Sequence, residues 1–315
     1  MKQQKILSSQ QVKAEAARLG FSACGLAPAE PVAPWRMEGM KQWLAEGKHG
    51  EMDYLARHSA LRATPESVLE GARTVIAVAL NYYPAAALSD EGYALARYAY
   101  GRDYHDVMRE KLRLLLEALS LEEYEEARIC CDTAPIDERY WAWRCGLGWQ
   151  GRNALFIIPG RGTYHFLAEI VCRHTADAYD HPLTAPGSSP CAACRRCIDA
   201  CPAGALSEQQ GIDARRCLSY LTIEHRGPLP AEASRQMGSC IYGCDRCAEA
   251  CPHNHAPLPS TEPAFAPSEE LRSMTAEQWK NITPDAYRRL FKGSAVKRAK
   301  YEGLLRNIRA VSEQE

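Results

Sequence analysis

The 315-residue chain lacks long apolar runs, and none approaches the roughly 18 residues that would indicate a membrane-spanning helix. Residues 1–20 also lack the apolar segment of a secretory signal peptide and follow an amphipathic helical pattern instead. These absences argue against the membrane and secreted classes and predict a cytoplasmic protein. The formal net charge of −1 favours no class of partner by itself.

Charge is nevertheless unevenly distributed along the chain. Residues 288–309 contain eight Lys or Arg and a single acid, Glu302, so this segment is basic and the remainder of the chain is acidic. A run of charges is most often a solvated helix face, but an excess of one sign favours an anionic partner such as a nucleic-acid backbone. Our candidates for phosphate contacts are Lys292, Lys297, Arg298 and Arg306.

Cysteine is abundant, with 14 residues. Because a reducing compartment disfavours disulfides, clustered cysteines there are more often metal ligands. The first run is Cys191-x2-Cys194-x2-Cys197-x3-Cys201-Pro. This is the spacing of bacterial ferredoxins, in which three close cysteines bind one [4Fe–4S] cluster and the fourth binds the other.

The second run, Cys244-x2-Cys247-x3-Cys251-Pro, has Ile241 where a further cysteine would stand. The missing ligand must come from Cys217 or from Cys240, which is one residue out of register. We assign one cluster to Cys191, Cys194, Cys197 and Cys251, and the other to Cys201, Cys217, Cys244 and Cys247, which leaves Cys240 free. Two structural zinc ions are the alternative, and the spacing disfavours them.

Segments rich in Pro, Gly and Ser at 181–190 and 257–267 predict three regions, 1–182, 183–257 and 258–315. In the first region, the apolar segment 74–82 predicts a buried strand, 103–120 a helix, and 127–132 a strand that runs into a turn. We therefore expect an α/β (α+β) domain, a ferredoxin-like two-cluster module and a short, basic, helical C-terminal region.

Several long motifs resemble the epoxyqueuosine reductase family. They are DTAPIDERYWAWRCGLGWQGRN at 132–153, DARRCLSYLTIEHRG at 213–227, IYGCDRCAEACP at 241–252 and FKGSAVKRAKYEGLLRN at 291–307. The resemblance implies an enzyme that reduces the epoxide of epoxyqueuosine at the tRNA wobble position to queuosine, the last step of queuosine biosynthesis. It also implies cobalamin, fed by the two clusters and bound by the first region. The helical repeat module that ends many family members is not recognisable after Asn307, which puts the full tRNA contact surface in question.

The resemblance also implies roles for individual residues. Asp132, in the D-T-x-P motif, would donate a proton to the epoxide oxygen, and its place at the end of an apolar strand suits a raised pKa. The alternative is that Asp132 only caps the following turn. The candidate cobalamin contacts are Arg57, Asn153, Ser219, Thr222, Tyr242 and Gly243. For the last two, turn geometry before Cys244 is the simpler explanation.

Two weaker motifs point elsewhere. Residues 146–151 match G-x-G-x-x-G, but a helix precedes them and a strand follows, the reverse of a dinucleotide site. Asp103-Tyr104-His105 begins like a cobalamin-histidine motif but has Met108 where glycine is needed, so we expect a surface or core histidine. We therefore expect base-off cobalamin, bound without its own base and without a histidine ligand on cobalt.

Two rival functions remain: a pure electron-transfer protein, and an enzyme like the reductive dehalogenases acting on small molecules. The first leaves the region before the clusters without a role, and the basic segment argues against the second. We expect a monomer that acts on tRNA and receives electrons from a separate donor.

Overall fold

The structure is a computed structural model that describes residues 5–208 and 211–314. Its strands are β1 (Ile6–Leu7), β2 (Ala23–Pro28), β3 (Thr74–Asn81), β4 (Ala94–Leu95), β5 (Ala127–Cys130), β6 (Trp149–Gln150), β7 (Phe156–Ile157), β8 (His165–Cys172), β9 (Thr175–Ala176), β10 (Leu206–Ser207), β11 (Gly211–Ile212) and β12 (Cys240–Tyr242).

The α-helices are interspersed among these strands as far as β12 and then follow one another. They are α1 (Ser9–Arg18), α2 (Pro34–Ala45), α3 (Asp53–Arg57), α4 (Tyr104–Ala118), α5 (Glu138–Arg144), α6 (Arg196–Asp199), α7 (Leu218–Ile223), α8 (Ala231–Gln236), α9 (Arg246–Glu249), α10 (Glu269–Arg272), α11 (Ala276–Lys280), α12 (Pro284–Leu290) and α13 (Lys300–Ser312). Short 3-10 helices lie at Ala60–Ala63, Pro65–Ser67, Arg97–Ala99, Ala214–Arg216, Pro252–Asn254, Pro263–Phe265 and Ala295–Ala299. None of the helices in the described ranges is long and apolar enough to cross a membrane.

The central sheet has the strand order β2-β3-β8-β5, with every neighbouring pair antiparallel. Strand β3 is buried along almost its whole length, and alternate residues point to opposite faces of the sheet. Ile76 and Val78 face a core formed with α1 and α4, whereas Val75 and Ala77 face a core formed with α5. Helices therefore cover both faces of this mixed α/β domain, and the buried strand predicted at 74–82 is confirmed.

A second core joins parts of the chain that are distant in sequence. It contains Leu95 of β4, Leu218 and Ile241 from the cysteine-rich region, and Phe291 and Ile308 from the C-terminal region. Strand β12 pairs in parallel with β4, and α13 packs against both β12 and α7. The basic C-terminal region is consequently part of the protein core and does not extend from it as a tail.

The cysteine-rich region repeats one local structure. Each cysteine run includes a four-residue helix, α6 after Cys194 and α9 after Cys244, and each helix is followed by a Cys-Pro pair. Helices α6 and α9 pack against each other. This arrangement brings the two runs together, as the ferredoxin-like spacing predicts.

Candidate active site

The first set of predicted cluster ligands surrounds a cavity of about 100 Å³. The cavity is lined by Cys191, Cys194, Cys197 and Cys251, together with Arg152, Asn153, Ile157, Pro190, Pro252 and His253. A single zinc ion with Zn–S bonds of about 2.3 Å needs far less room. Four thiols around this space fit the ligand set of a [4Fe–4S] cluster.

The second set of predicted ligands also comes together in space. Burial raises the pKa of the Cys247 thiol, and the nearby thiols of Cys217, Cys244 and Cys201 raise it further. Burial likewise raises the pKa of Cys217; main-chain hydrogen bonds oppose this effect, and Cys244 and Cys201 add to it. These four thiols are therefore near enough to affect one another's pKa, which a shared cluster requires.

Cys240 lies beside the second set. A hydrogen bond from the Cys240 thiol lowers the pKa of Cys244 to about 7, although burial opposes it. Because Cys240 is close enough to Cys244 to compete with Cys217 for a cluster, the choice of Cys217 as the ligand stays a prediction.

Asp132 lies just beyond the end of β5, in a left-handed backbone conformation with φ of 53°. Its main-chain N–H donates to Oε1 of Glu138 at 2.5 Å, and the Arg109 guanidinium donates to the hydroxyl of Thr133 at 2.8 Å. These bonds hold the loop from both sides. The Asp132 carboxylate remains 55% exposed, so a substrate can reach it.

The Asp132 carboxylate is bound by a histidine. Oδ2 of Asp132 lies 2.9 Å from Nε2 of His105, and Nδ1 of the same ring lies 2.6 Å from Oδ1 of Asp103. Asp103 also caps α4, because its side chain accepts a hydrogen bond from the main-chain N–H of His105. The result is a continuous Asp–His–Asp chain that ends at the exposed carboxylate.

This contact corrects the expected acidity of Asp132. Partial desolvation by the surrounding protein raises the pKa of Asp132, but the hydrogen bond and positive charge of His105 outweigh that effect and leave the pKa below its ordinary value. Burial lowers the pKa of His105, but the hydrogen bonds to Asp103 and Asp132 raise it to about 9. The prediction of a raised pKa for Asp132 was wrong, because sequence position showed the strand end but not the imidazole opposite it.

Two of the predicted cofactor residues bind each other. The Gly243 N–H donates to Oγ1 of Thr222 at 2.9 Å, and the Thr222 hydroxyl donates to the main-chain oxygen of Leu218 at 2.7 Å. Gly243 has φ of 71°, and a Cβ there would lie 2.4 Å from Cβ of Ala96. Turn geometry and close packing therefore explain this glycine, as the simpler alternative proposed.

Tyr242 is fully buried in the second core. Its hydroxyl donates to the main-chain oxygen of Ala295 at 2.7 Å and accepts a hydrogen bond from the Tyr98 hydroxyl at 3.2 Å. Both capacities of the hydroxyl are used within the protein, which argues against a cofactor contact through this side chain.

Of the remaining cofactor candidates, Asn153 and Ser219 lie near the cysteine sets. Nδ2 of Asn153 donates to the main-chain oxygen of Cys247 at 3.3 Å, while the same residue lines the cavity of the first set. Ser219 is half-buried in α7, two residues after Cys217. Arg57 is exposed at the end of α3.

The four predicted phosphate contacts divide into two groups. Lys292 and Lys297 are exposed. Arg298 is bound to Glu224 through two hydrogen bonds of 2.8 and 2.7 Å, and Asp132 is among the charges that raise its pKa, so it lies on the side of the acid. Arg306 donates to the main-chain oxygens of Leu221, His225 and Gly227, which argues against a phosphate contact through this side chain.

Sequence reasoning missed His105 and Glu138. His105 was expected to be a surface or core histidine, because its motif is an incomplete cobalamin-histidine motif. The cap at Asp103 was readable from the sequence, but the partner of the imidazole lies 27 residues away. No local sequence pattern predicts that the first turn of α4 contacts the loop after β5.

These features define a class of protein: an iron–sulfur redox enzyme in which a two-cluster module packs with an α/β domain that presents a histidine-bound acid. Comparison with known proteins gives a narrower answer. A family model described as epoxyqueuosine reductase QueG, DUF1730 matches residues 62–133, and a 4Fe-4S double cluster binding domain matches residues 190–254.

Two relatives match over nearly their whole length. Epoxyqueuosine reductases of Cellulophaga algicola and Leadbetterella byssophila are each 40% identical to the chain, covering 94% and 97% of it and 95% and 98% of their own sequences. A crystal structure of epoxyqueuosine reductase with an epoxyqueuosine-modified tRNA-Tyr stem loop has a TM-score of 0.84 at 27% identity, covering 96% of this chain and 80% of that one. A Bacillus subtilis epoxyqueuosine reductase whose catalytic aspartate loop is swung out of the active site has a TM-score of 0.82 at 27% identity, with the same coverage.

The chain belongs to the epoxyqueuosine reductase family. The family match at 62–133 includes Asp103, His105 and Asp132, and the double-cluster match includes all eight predicted cluster ligands.

Proposed function

We propose that this chain reduces epoxyqueuosine in tRNA to queuosine, with Asp132 protonating the epoxide oxygen and cobalamin, fed by two [4Fe–4S] clusters, providing the electrons. The observation that carries the proposal is the exposed Asp132 carboxylate, held by His105 within the family-matched region of a chain that also has a two-cluster module. The substrate places the reaction where tRNA is found, in the cytoplasm.

The reaction sets clear requirements. Converting an epoxide to an alkene consumes two electrons and two protons and releases the oxygen as water. Side chains can supply protons but not electrons, so the electrons must come from cofactors. The two cysteine sets meet this requirement, because each provides four thiols for a cluster. We propose that a separate, unidentified donor reduces the clusters and that the chain acts as a monomer.

Cobalamin, when bound, would supply a reduced cobalt centre that delivers electrons to the strained C–O bond. One side chain near Asp132 offers surface to such a ligand: Tyr54 is 37% exposed, and in addition to the effect of burial it lies close enough to the Asp132 carboxylate for that charge to raise its pKa. Both ring nitrogens of His105 are engaged by carboxylates, so this histidine is not free to bind cobalt.

The protein's own groups position and protonate the substrate. Asp132 is exposed and held by bonds to its main chain and to its side chain, so a proton can be delivered at a fixed place. Exposed Lys292 and Lys297 provide positive charge for tRNA phosphates. We propose the regions 1–182, 183–257 and 258–315 as cobalamin-binding, cluster-binding and tRNA-contacting respectively.

The test is turnover of the modified nucleoside. Protein reconstituted anaerobically with iron, sulfide and cobalamin is incubated with a chemical reductant and tRNA that carries epoxyqueuosine, and nucleosides are quantified by mass spectrometry. We expect queuosine to form only when cobalamin is present. Protein that holds both clusters but binds no corrin and forms no queuosine would support the electron-transfer alternative, and tRNA without the epoxide is the control.

A further inference from the structure

His105 is held more rigidly than a surface histidine needs to be. Carboxylates bind both of its ring nitrogens, and its ring stacks on Tyr104 with centroids 4.0 Å apart. Tyr104 in turn stacks on Phe166 of β8 at 4.2 Å and an angle of 4°. The imidazole is therefore fixed to the central sheet, with one nitrogen aimed at Asp132.

The charges around Asp132 keep it ionised, so it needs a second group to supply the proton that it donates. With its pKa below the ordinary value, Asp132 is a carboxylate at neutral pH and holds no proton to donate. The pKa of His105, about 9, means that the proton shared by the pair lies on the imidazole. Every turnover needs two protons, and the geometry allows the first to come from this ring.

We propose that His105 is the proton store of the active site, passing the proton on Nε2 to Oδ2 of Asp132 as Asp132 protonates the epoxide oxygen, while Asp103 keeps the imidazole in position. The inference rests on the proposed function. In this step the Nε2–H bond breaks, an O–H bond forms on the substrate, Asp132 is again a carboxylate and His105 becomes neutral. Solvent then returns a proton to the ring, and the same route delivers the second proton that releases water.

His105 acts through Asp132 and is therefore a positioning residue. Its charge depends on the groups around the Asp–His–Asp chain, on its own helix and on the elements that pack against it. These groups are Asp103, Tyr104 and Arg109 at α4, Asp132, Glu138 and Arg139 around the loop and α5, and Tyr54 and Arg298 opposite. Acids and bases are mixed, and the two carboxylates in direct contact with the ring keep it protonated.

The decisive measurement is the pH profile of single-turnover queuosine formation by chemically reduced enzyme. The wild-type rate should stay level through neutral pH and fall above about 9, where the ring loses its proton. His105→Gln can still accept or donate a hydrogen bond but stores no proton. Its rate should be lower by roughly 10²-fold at pH 8 and should recover towards pH 5, where solvent protonates Asp132 directly.

Two further variants separate proton storage from structure. Asp103→Asn keeps the shape of the clamp and removes one negative charge, so the fall in rate should begin at a lower pH than in the wild type. His174→Gln is the matched control, because His174 also lies between an acid, Glu126, and a main-chain group, but at the far end of β8. It should leave the pH profile unchanged.

The outcomes distinguish a failure of the proton-store inference from a failure of the proposed function. A wild-type profile in His105→Gln, or a loss that is equal at every pH, would overturn the proton-store inference while leaving the proposed function intact. Absence of queuosine formation by fully loaded wild-type enzyme would instead overturn the proposed function. If His105→Gln fails to fold, the shift in Asp103→Asn decides, and an unchanged profile there would refute the inference.

Discussion

The cluster module and the acid site assemble their functional groups from very different lengths of chain. In the module, three ligands of one proposed cluster are Cys191, Cys194 and Cys197, and a short helix lies within each run. In the acid site, the Asp103 and His105 pair at the start of α4 meets Asp132 from a loop beyond β5. Local spacing therefore organises the module, whereas packing of α4 on the sheet organises the acid site.

The largest effect is expected at Cys217, which is the one proposed ligand outside both cysteine runs and therefore tests whether local spacing alone organises the module. Cys217→Ala should remove one cluster, and with it about half of the bound iron and nearly all turnover, because a cluster needs four ligands. Cys240→Ser is the matched control and should keep both clusters. Iron and sulfide analysis of anaerobically purified protein decides between them, and the reverse pattern would make Cys240 the ligand.

At the acid site, Asp132→Asn should lower the rate of epoxide reduction almost as much, without affecting cluster or tRNA binding. Positioned acid catalysis typically contributes about 10²–10⁴-fold, so single-turnover queuosine formation should fall by that factor. Cluster content and tRNA affinity should not change, because neither depends on the proton. Near-wild-type rates would favour the turn-capping alternative, since Asn caps nearly as well as Asp.

A buried carboxyl group in the central sheet, Glu169, affects the stability of the fold through its protonation. Glu169 lies in the middle of β8, is completely buried, and neither carboxyl oxygen has a hydrogen-bond partner within residues 5–208 and 211–314. Burial raises the pKa of Glu169 well above its ordinary value, and the nearby charges of Glu138 and Asp137 raise it further. The folded state therefore holds a proton that the unfolded chain releases as pH rises above about 4.3.

Stability should consequently fall as pH rises, because the folded state binds more protons than the unfolded state. Glu169→Met should raise the free energy of unfolding by about 1–3 kcal/mol at pH 8, with a smaller gain at pH 5. Glu169→Gln should flatten the pH dependence while keeping an unpartnered polar group. Thermal unfolding of the anaerobic holoenzyme at both pH values provides the measurement, and a destabilised Glu169→Met variant would contradict the expectation.

The smallest effect is expected on the basic C-terminal region. Replacing Lys292 and Lys297 with Glu should weaken tRNA binding severalfold and reduce its dependence on salt, because fewer counterions are released. Cobalamin binding and cluster content should stay unchanged. Arg288→Glu is a control from the same region, since Arg288 is already bound to Asp285. Equal tRNA affinity for all variants at low salt would indicate that these lysines are only solvated surface residues and do not contact tRNA.

Local residue patterns determined the parts of this protein whose partners are close in sequence. The ferredoxin-like spacing of the cysteines predicted a two-cluster module, and the apolar segment 74–82 predicted the strand β3. The helix predicted at 103–120 is α4, Tyr104–Ala118. These predictions succeeded because a cysteine run, a buried strand and an amphipathic helix each depend on neighbouring residues.

Only the tertiary structure decided the chemical state of Asp132 and the use of the basic residues. The imidazole of His105 lowers the pKa of Asp132 against the effect of burial. Main-chain oxygens in and after α7 accept hydrogen bonds from Arg306. Both residues lie in motifs that pointed to function. A pKa depends on burial and on charges within a few ångströms, whichever part of the chain supplies them. The sequence could therefore name a candidate acid, whereas the fold sets the pKa of that group through the residues packed against it.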